Sequence, residues 1–474
     1  MFKKTVSSWD VFDTLVGRFR ITPDSIFDLM ERKTAMPGFK AARGQAQRDL
    51  DALGKPYDLR AVYRRFCELT GEDARSKVPS LFALEVATEL DQLIPVRAQV
   101  SQVARGDLIV SDMYMPEDVI VDILQRTCGF RQNSYPPVVG NWGKARGSIW
   151  PLIQQHFIVR CHHGDNRHAD IAVPQRFGIP VKHVTDTGVT PWENTLLQAG
   201  LQDVALILRE VRLRCLPADA GAFEYKVVGE YLGMLLLYSL FLRTYAHERA
   251  IEHYLFAARE GIHLSAVFRA LMPGFHSETI DFNRRLLHNG HADDWFGSRL
   301  TPRSAVVDIV SSGRSLSAFC SRLGVSVPLV TLIDVGVRLT HEQVQARERN
   351  GFHAIFRHDA MPMMPHSIEA LSDPGYPSVH DIVIDTDSRA VIRLLTPDDQ
   401  TARERECAEF VGHAVIELVE AIHRRALSFD VADKSKLETL LREAVLALTQ
   451  LGHHAKSPSY MAKNRVPQES RDAE

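Results

Sequence analysis

The chain has 474 residues, 45% hydrophobic and 24% charged, with a formal net charge of −3. That length holds roughly two to four domains of about 100–200 residues, and the composition excludes disorder over most of the chain. Lys and Arg total 56 against 59 Asp and Glu, so no basic excess marks a nucleic acid as the main partner.

In chain order, the first 215 residues read as strands interleaved with helices. Apolar runs at 5–9, 108–110 and 157–161 each end in a polar turn, at Asp10, Ser111 and Gly164-Asp165. This alternation predicts a parallel sheet with helices on its faces. Residues 25–30, 39–53, 59–69 and 81–104 carry helical spacing instead. They predict a helical insertion over about 20–104, placed where a lid covers the strand ends. Leu216-Pro217-Ala218-Asp219-Ala220-Gly221 reads as a linker within 216–222. A long helix over 223–249 comes next. Its most apolar part, 231–242, is shorter than the ~20 residues a bilayer span needs, so a buried core helix is expected and no membrane partner. A second α/β pattern then runs over 223–400: strands at 253–257, 304–308 and 328–334, helices at 262–271 and 315–323. Two amphipathic helices occupy 401–455, and 456–474 reads as a disordered polar tail.

The six cysteines, Cys67, Cys128, Cys161, Cys215, Cys320 and Cys407, form no CxxC pair. Neither a disulfide framework nor a cysteine zinc site is expected, and a reducing, cytoplasmic setting fits. The N-terminal residues lack the apolar core of a secretory signal. His162 and His163 lack a third ligand at metal spacing and read as strand-end packing.

Active sites of parallel sheets gather at the carboxyl ends of strands, which directs attention to Asp10, Ser111, Lys144, Asp165 and Asp170. Asp10 comes directly after the first strand, where an exposed carboxylate can attack phosphorus or carbon. The Ser111 hydroxyl and N–H can bind a phosphoryl oxygen. Lys144 neutralises carboxylate and phosphate charge, and Asp165 completes a hard oxygen-ligand set for Mg²⁺. Asp112 reads as the cap of the next helix in the chain. Asp13 reads as a group bonding its own turn.

These residues stand in Asp10-Val11-Phe12-Asp13-Thr14-Leu15, Ser111-Asp112-Met113-Tyr114-Met115-Pro116, Gly143-Lys144 and Gly164-Asp165-Asn166 with Asp170. Over residues 1–215 the chain resembles the haloacid dehalogenase-like hydrolase superfamily, in its subgroup with DxFDTL and SDMYxP motifs. Arg18 and the pair Glu85 and Glu89 are part of that likeness. The resemblance implies a Rossmann-like parallel sheet with a cap inserted after strand 1. It implies an Asp10 nucleophile, with Ser111, Lys144 and Asp13 catalytic and a Mg²⁺ held by Asp10, Asp165 and the Phe12 carbonyl. Thr14, Asp112, Asn166 and Asp170 support them, and the substrate is a small phosphorylated metabolite. One position departs: the superfamily's phosphatases carry a second Asp where Phe12 stands, and Asp13 comes one residue later.

Val306-Val307-Asp308-Ile309-Val310 runs into Ser311-Ser312-Gly313-Arg314-Ser315. A hydroxyl and glycine loop before a helix can wrap a phosphate. It is similar to the phosphoribosyl-pyrophosphate loop of type I phosphoribosyltransferases, with Val307 replacing the first acidic residue. Arg259-Glu260-Gly261 falls where that family's pyrophosphate loop stands, and Asn283-Arg284-Arg285 reads as either an anion contact or a solvated turn. The expectation is a phosphatase-like hydrolase whose second domain binds a phosphate or phosphoribosyl group. The alternatives are a non-catalytic phosphometabolite-binding protein and a phosphoribosyltransferase-type enzyme.

Overall fold

The computed structural model describes residues 3–131, 137–139, 143–290, 292–357, 366–375, 377, 379–384, 391–395, 400–425, 427, 429 and 433–451. The tail at 456–474 lies outside the described residues. The fold is α/β with parallel sheets. The chain divides into two compact units, residues 1–191 with 212–220 and residues 192–211 with 221–474. The segment 192–211, ahead of the expected linker, therefore packs with the second unit. All six cysteines are free thiols.

The first unit has a five-stranded sheet in the order Pro137–Val139, Leu108–Ser111, Lys4–Trp9, Phe157–Gly164, Val181–His183. Every pairing is parallel. The first strand is central, and Asp10 sits directly after its last residue. Two of these strands, Pro137–Val139 and Val181–His183, are too short to show as apolar runs in the sequence.

After the first strand the chain leaves the sheet through Val16–Arg18, which pairs antiparallel with Leu93–Pro95 on the way back. Between them lie four helices, Ser25–Thr34, Phe39–Ala52, Leu59–Thr70 and Ala74–Gln92. Asp58 and Asp73 start the last two by accepting hydrogen bonds from Ala61 and from Arg75 and Ser76. The periodicity over 81–104 suggested one helix, but the helix ends at Gln92. Pro95 explains the break, because a proline drives the residue before it into extended backbone.

The insertion has its own core, in which Ile26, Met30, Phe39, Val62, Tyr63 and Phe66 meet. A fully buried guanidinium, Arg43, sits inside it. Its Nε and Nη2 each donate to Glu85 at 3.0 Å, a bidentate pair. The rings of Phe27, Tyr63 and Tyr114 flank that guanidinium at 4.6, 5.6 and 5.1 Å. Tyr114 belongs to the loop after Ser111, donates to Glu85 at 3.1 Å, and accepts the Leu59 N–H on its carbonyl at 2.9 Å. Tyr114 thus ties the insertion's buried ion pair to the loop after Ser111.

The second unit has a five-stranded parallel sheet in the order His353–Arg357, Leu329–Asp334, Ser304–Ser311, His253–Ala257, His276–Ile280. The helix over 222–249 is apolar and long enough to cross a bilayer, yet 78% of its most apolar window is buried in the unit. Its Tyr238 hydroxyl donates to the Asp308 carbonyl at 3.0 Å and contacts that of Val330 at 3.1 Å. The helix is therefore pinned against the central strand and its neighbour Leu329–Asp334. Helices Ala402–Arg425 and Lys434–Thr449 belong to the same unit.

Removing one partner of a buried ion pair leaves the other charge uncompensated, at a cost of about 3–5 kcal/mol. Glu85→Ala is expected to destabilise the first unit by that amount. A urea titration monitored by tyrosine and tryptophan fluorescence measures it, and an unchanged midpoint contradicts it.

Candidate functional site

The site of the first unit is assembled from the ends of adjacent strands. The Asp10 N–H donates to the His163 carbonyl at 2.8 Å. Behind it the Trp9 ring stacks on His163 at 3.8 Å, and the Trp9 indole donates to Asp107 at 3.0 Å. Asp10 is 5% exposed, so the expectation of an exposed carboxylate is corrected. Thr14 and the Lys144 side chain lie against it. Its Oδ2 accepts the Thr14 hydroxyl at 3.2 Å, and its Oδ1 meets the Lys144 ammonium.

Lys144 lies in the short helix Gly143–Arg146. Asp112 accepts the N–H groups of Lys144 and Ala145 at 3.2 and 2.9 Å. It therefore caps the lysine's helix rather than the next helix in the chain, Glu117–Cys128, which starts at Pro116 without a side-chain cap. The Lys144 Nζ is 2.7 Å from Asp170 Oδ1 and 3.4 Å from the Val110 carbonyl. Asn166 accepts the N–H groups of His168 and Ala169, each at 3.0 Å, and its own N–H donates to Asp170 Oδ2 at 2.9 Å. Gly164 is required by close approach, since a Cβ there would sit 2.3 Å from Asp170 Cγ.

Asp10, Asp165 and Asp170 each offer an oxygen, and these atoms lie within 4.8 Å of one another. Burial pushes the Asp10 carboxyl up to about 8, against the pull of Lys144. Burial, Asp13 and Asp170 raise Asp165 to about 6. At Asp170 burial is outweighed by the His162 hydrogen bond and Lys144, which hold it at about 2. At Lys144 burial is outweighed by Asp10 and Asp170, which keep it protonated. Three carboxylates face one ammonium, so the cluster has surplus negative charge and an all-oxygen donor set. That chemistry suits a hard metal cation, and the cluster can hold one.

The Ser111 side chain is buried, and its hydroxyl makes no hydrogen bond among the described residues. The Phe12 carbonyl likewise accepts none among the described residues, while its ring packs 4.9 Å from the Arg18 guanidinium. Asp13 occupies the left-handed region at φ 57°. Its N–H donates to the Val16 carbonyl at 2.7 Å, and its carboxylate pairs with Arg18 at 3.2 Å. Arg18 is shared with Glu89 on the insertion, at 2.6 Å. Asp13 thus stands outside the three-carboxylate cluster. Two further residues reach the site without a motif to mark them, Ser8 and His162. His162 is wholly buried and reaches Asp170 Oδ1 at 3.0 Å; in the sequence the doublet His162-His163 reads only as strand-end packing.

In the second unit, Glu260 accepts the Val310 N–H at 3.2 Å and Asp308 accepts that of Ile309 at 2.9 Å. Burial and Asp308 push the Glu260 carboxyl well up; burial raises Asp308 to about 7. Arg259 is engaged by Asp373, and the Arg314 guanidinium donates to the Val337 carbonyl at 2.9 Å. Gly261 packs tightly, with Phe256 backbone 3.2 Å from the place of a Cβ. Ser311 and Ser312 accept the N–H groups of Gly313 and Arg314 at 3.3 and 3.5 Å. Gly313 has φ 70°, and a Cβ there would lie 2.7 Å from Phe352. Arg314 and Ser315 open the helix Arg314–Leu323. Asn283 caps the helix Arg284–Asn289 by accepting the Leu286 N–H at 3.0 Å; the Arg284 side chain lies outside the described residues.

The chain matches no protein-family model, and no curated protein matches it.

The raised Asp308 carboxyl has a consequence for stability. The folded state holds its proton up to about pH 7, whereas the unfolded chain releases it near 4. The stabilisation is therefore complete below about pH 4 and is lost as the pH rises toward 7. Relative to Asp308→Asn, the wild type is expected to lose stability between pH 5 and 8. Unfolding midpoints of both proteins across that range test this, and parallel curves contradict it.

Proposed function

We propose that the first unit is a Mg²⁺-dependent hydrolase of the haloacid dehalogenase-like type, acting on a small phosphorylated metabolite. The observation that carries this reading is the convergence of Asp10, Lys144, Asp165 and Asp170, distant in sequence, on one buried cluster. The central position of the Asp10 strand and the helical insertion directly after it also support it.

In this reading an Asp10 oxygen attacks phosphorus and the bond to the ester oxygen breaks. Water then cleaves the aspartyl phosphate and returns Asp10 and inorganic phosphate. Thr14 keeps Asp10 aligned for attack. Lys144 and the unpartnered Ser111 hydroxyl receive the negative oxygens of the transferring group. Asp10, Asp165 and the Phe12 carbonyl are the groups that would hold Mg²⁺, with Asp170 beside them. A bound Mg²⁺ supplies charge neutralisation at the phosphoryl oxygens.

The leaving oxygen still needs a proton. The Asp13 carboxylate is paired with Arg18 and is not one of the three carboxylates that meet at the site, so it is poorly placed as the acid. Good leaving groups are therefore preferred. The same pair favours a second reading, a non-catalytic module that binds phosphometabolites. In either reading the turns at 259–261 and 311–315 are where the second unit would take a phosphate or phosphoribosyl group.

Phosphate release from p-nitrophenyl phosphate, sugar phosphates and nucleotides, with and without Mg²⁺, tests the proposal. Mg²⁺-dependent release is expected in the wild type and none in Asp10→Asn. The aryl ester should turn over faster than the alkyl esters. No release from any substrate overturns the hydrolase and leaves the binding reading, for which ribose 5-phosphate is the first ligand.

General acids contribute about 10²–10⁴-fold. Asp13→Asn is expected to slow turnover of an alkyl ester, a sugar phosphate, by less than about tenfold. A loss in the general-acid range would instead make Asp13 the acid.

A further inference from the structure

The Asp170 carboxylate is held from behind by groups that the proposed chemistry does not use. The strands Lys4–Trp9 and Phe157–Gly164 change register between Val6 and Ser8. The shift pairs Ser8 with His162 across the sheet, and the Ser8 hydroxyl lies 2.9 Å from His162 Nδ1. The other ring nitrogen, Nε2, is 3.0 Å from Asp170 Oδ1. Ser8, His162 and Asp170 are each 0% exposed. Trp150 stands edge-on to the imidazole at 4.8 Å and holds its plane.

Elementary chemistry fixes the hydrogen-bond roles. Asp170 is ionised and can only accept, so Nε2 carries the hydrogen. An imidazole with its hydrogen on Nε2 presents Nδ1 as an acceptor, and the Ser8 hydroxyl, 2.9 Å away, donates to it. The chain of bonds runs from Ser8 to His162 to Asp170, and Lys144 closes it on the far side. Asp170 then has two donors on Oδ1 and the Asn166 N–H on Oδ2.

We infer that Ser8 and His162 are positioning residues for the carboxylate cluster: they fix the imidazole tautomer that orients Asp170, and through it the cation-binding oxygens and Lys144. The inference rests on the metal reading of the cluster. Partners of this kind set the direction of a carboxylate's lone pairs, and their loss costs about 10–100-fold in metal affinity or activity.

The test uses the whole chain and Mg²⁺ alone, read as the rise in melting temperature with Mg²⁺ concentration. His162→Phe keeps a ring against Trp150 but removes both hydrogen bonds. It is expected to move the Mg²⁺ midpoint up by about 10–100-fold with native far-ultraviolet circular dichroism. His162→Gln, whose amide N–H can reach Asp170, should recover most of that loss. Ser8→Ala should shift the midpoint in the same direction by less. A wild-type midpoint in His162→Phe, or a glutamine variant as weak as the phenylalanine one, overturns the inference while leaving the metal reading intact. No Mg²⁺ response in the wild type overturns both. If His162→Phe does not fold, Ser8→Ala decides, and a midpoint equal to that of the wild type overturns the inference.

Discussion

The candidate site of the first unit depends on one ammonium shared by two buried carboxylates. Lys144 touches Asp10 and Asp170 together, and all three groups are nearly without solvent. Lys144 pulls both carboxyls toward their ionised forms, against burial and mutual repulsion. The surrounding structure serves the same contact. Asp112 fixes the start of the lysine's helix, and Thr14 fixes the far oxygen of Asp10. Gly164 lets Asp170 approach the strand end, where an alanine Cβ would collide with it.

The second unit presents the opposite balance. Asp308 lies within the strand Ser304–Ser311, and Glu260 stands at the start of the helix Gly261–Leu271. Arg259 is engaged by Asp373 instead, and both carboxyls are pushed upward by burial. The contrast is between Asp170, held at about 2, and Asp308, raised to about 7. Direct contact with a cation and a hydrogen-bonded imidazole separates the two cases.

The insertion is joined to the core by charge as well as by apolar packing. Glu89 on its last helix holds Arg18, which holds Asp13 on the turn after the nucleophile candidate. Glu85 on the same helix holds Arg43 and receives Tyr114 from the loop after Ser111. The helices of the insertion thus touch two of the loops that frame the site. Buried pairs of this kind are geometrically demanding, which gives the insertion a defined seat on those loops.

Much of this was legible in the sequence because it is local. Apolar runs ending in Asp10, Ser111 and Gly164-Asp165 marked the strand ends, and helical spacing marked the insertion. The order of those residues predicted that Asp10, Ser111, Lys144, Asp165 and Asp170 would gather, and four of them, Asp10, Lys144, Asp165 and Asp170, meet. Periodicity failed at 93–95, where Pro95 breaks the run, and at strands of three residues, which are too short to carry a period. Only tertiary structure decided that Asp10 is buried, that Asp112 caps the lysine's helix, that Asp13 faces Arg18, and that His162 contacts Asp170. Each of these rests on pairing between distant or differently turned segments; Ser8 and His162 are 154 residues apart. A sequence states which groups are available at a strand end, while strand register and backbone dihedrals determine which of them come within hydrogen-bonding reach.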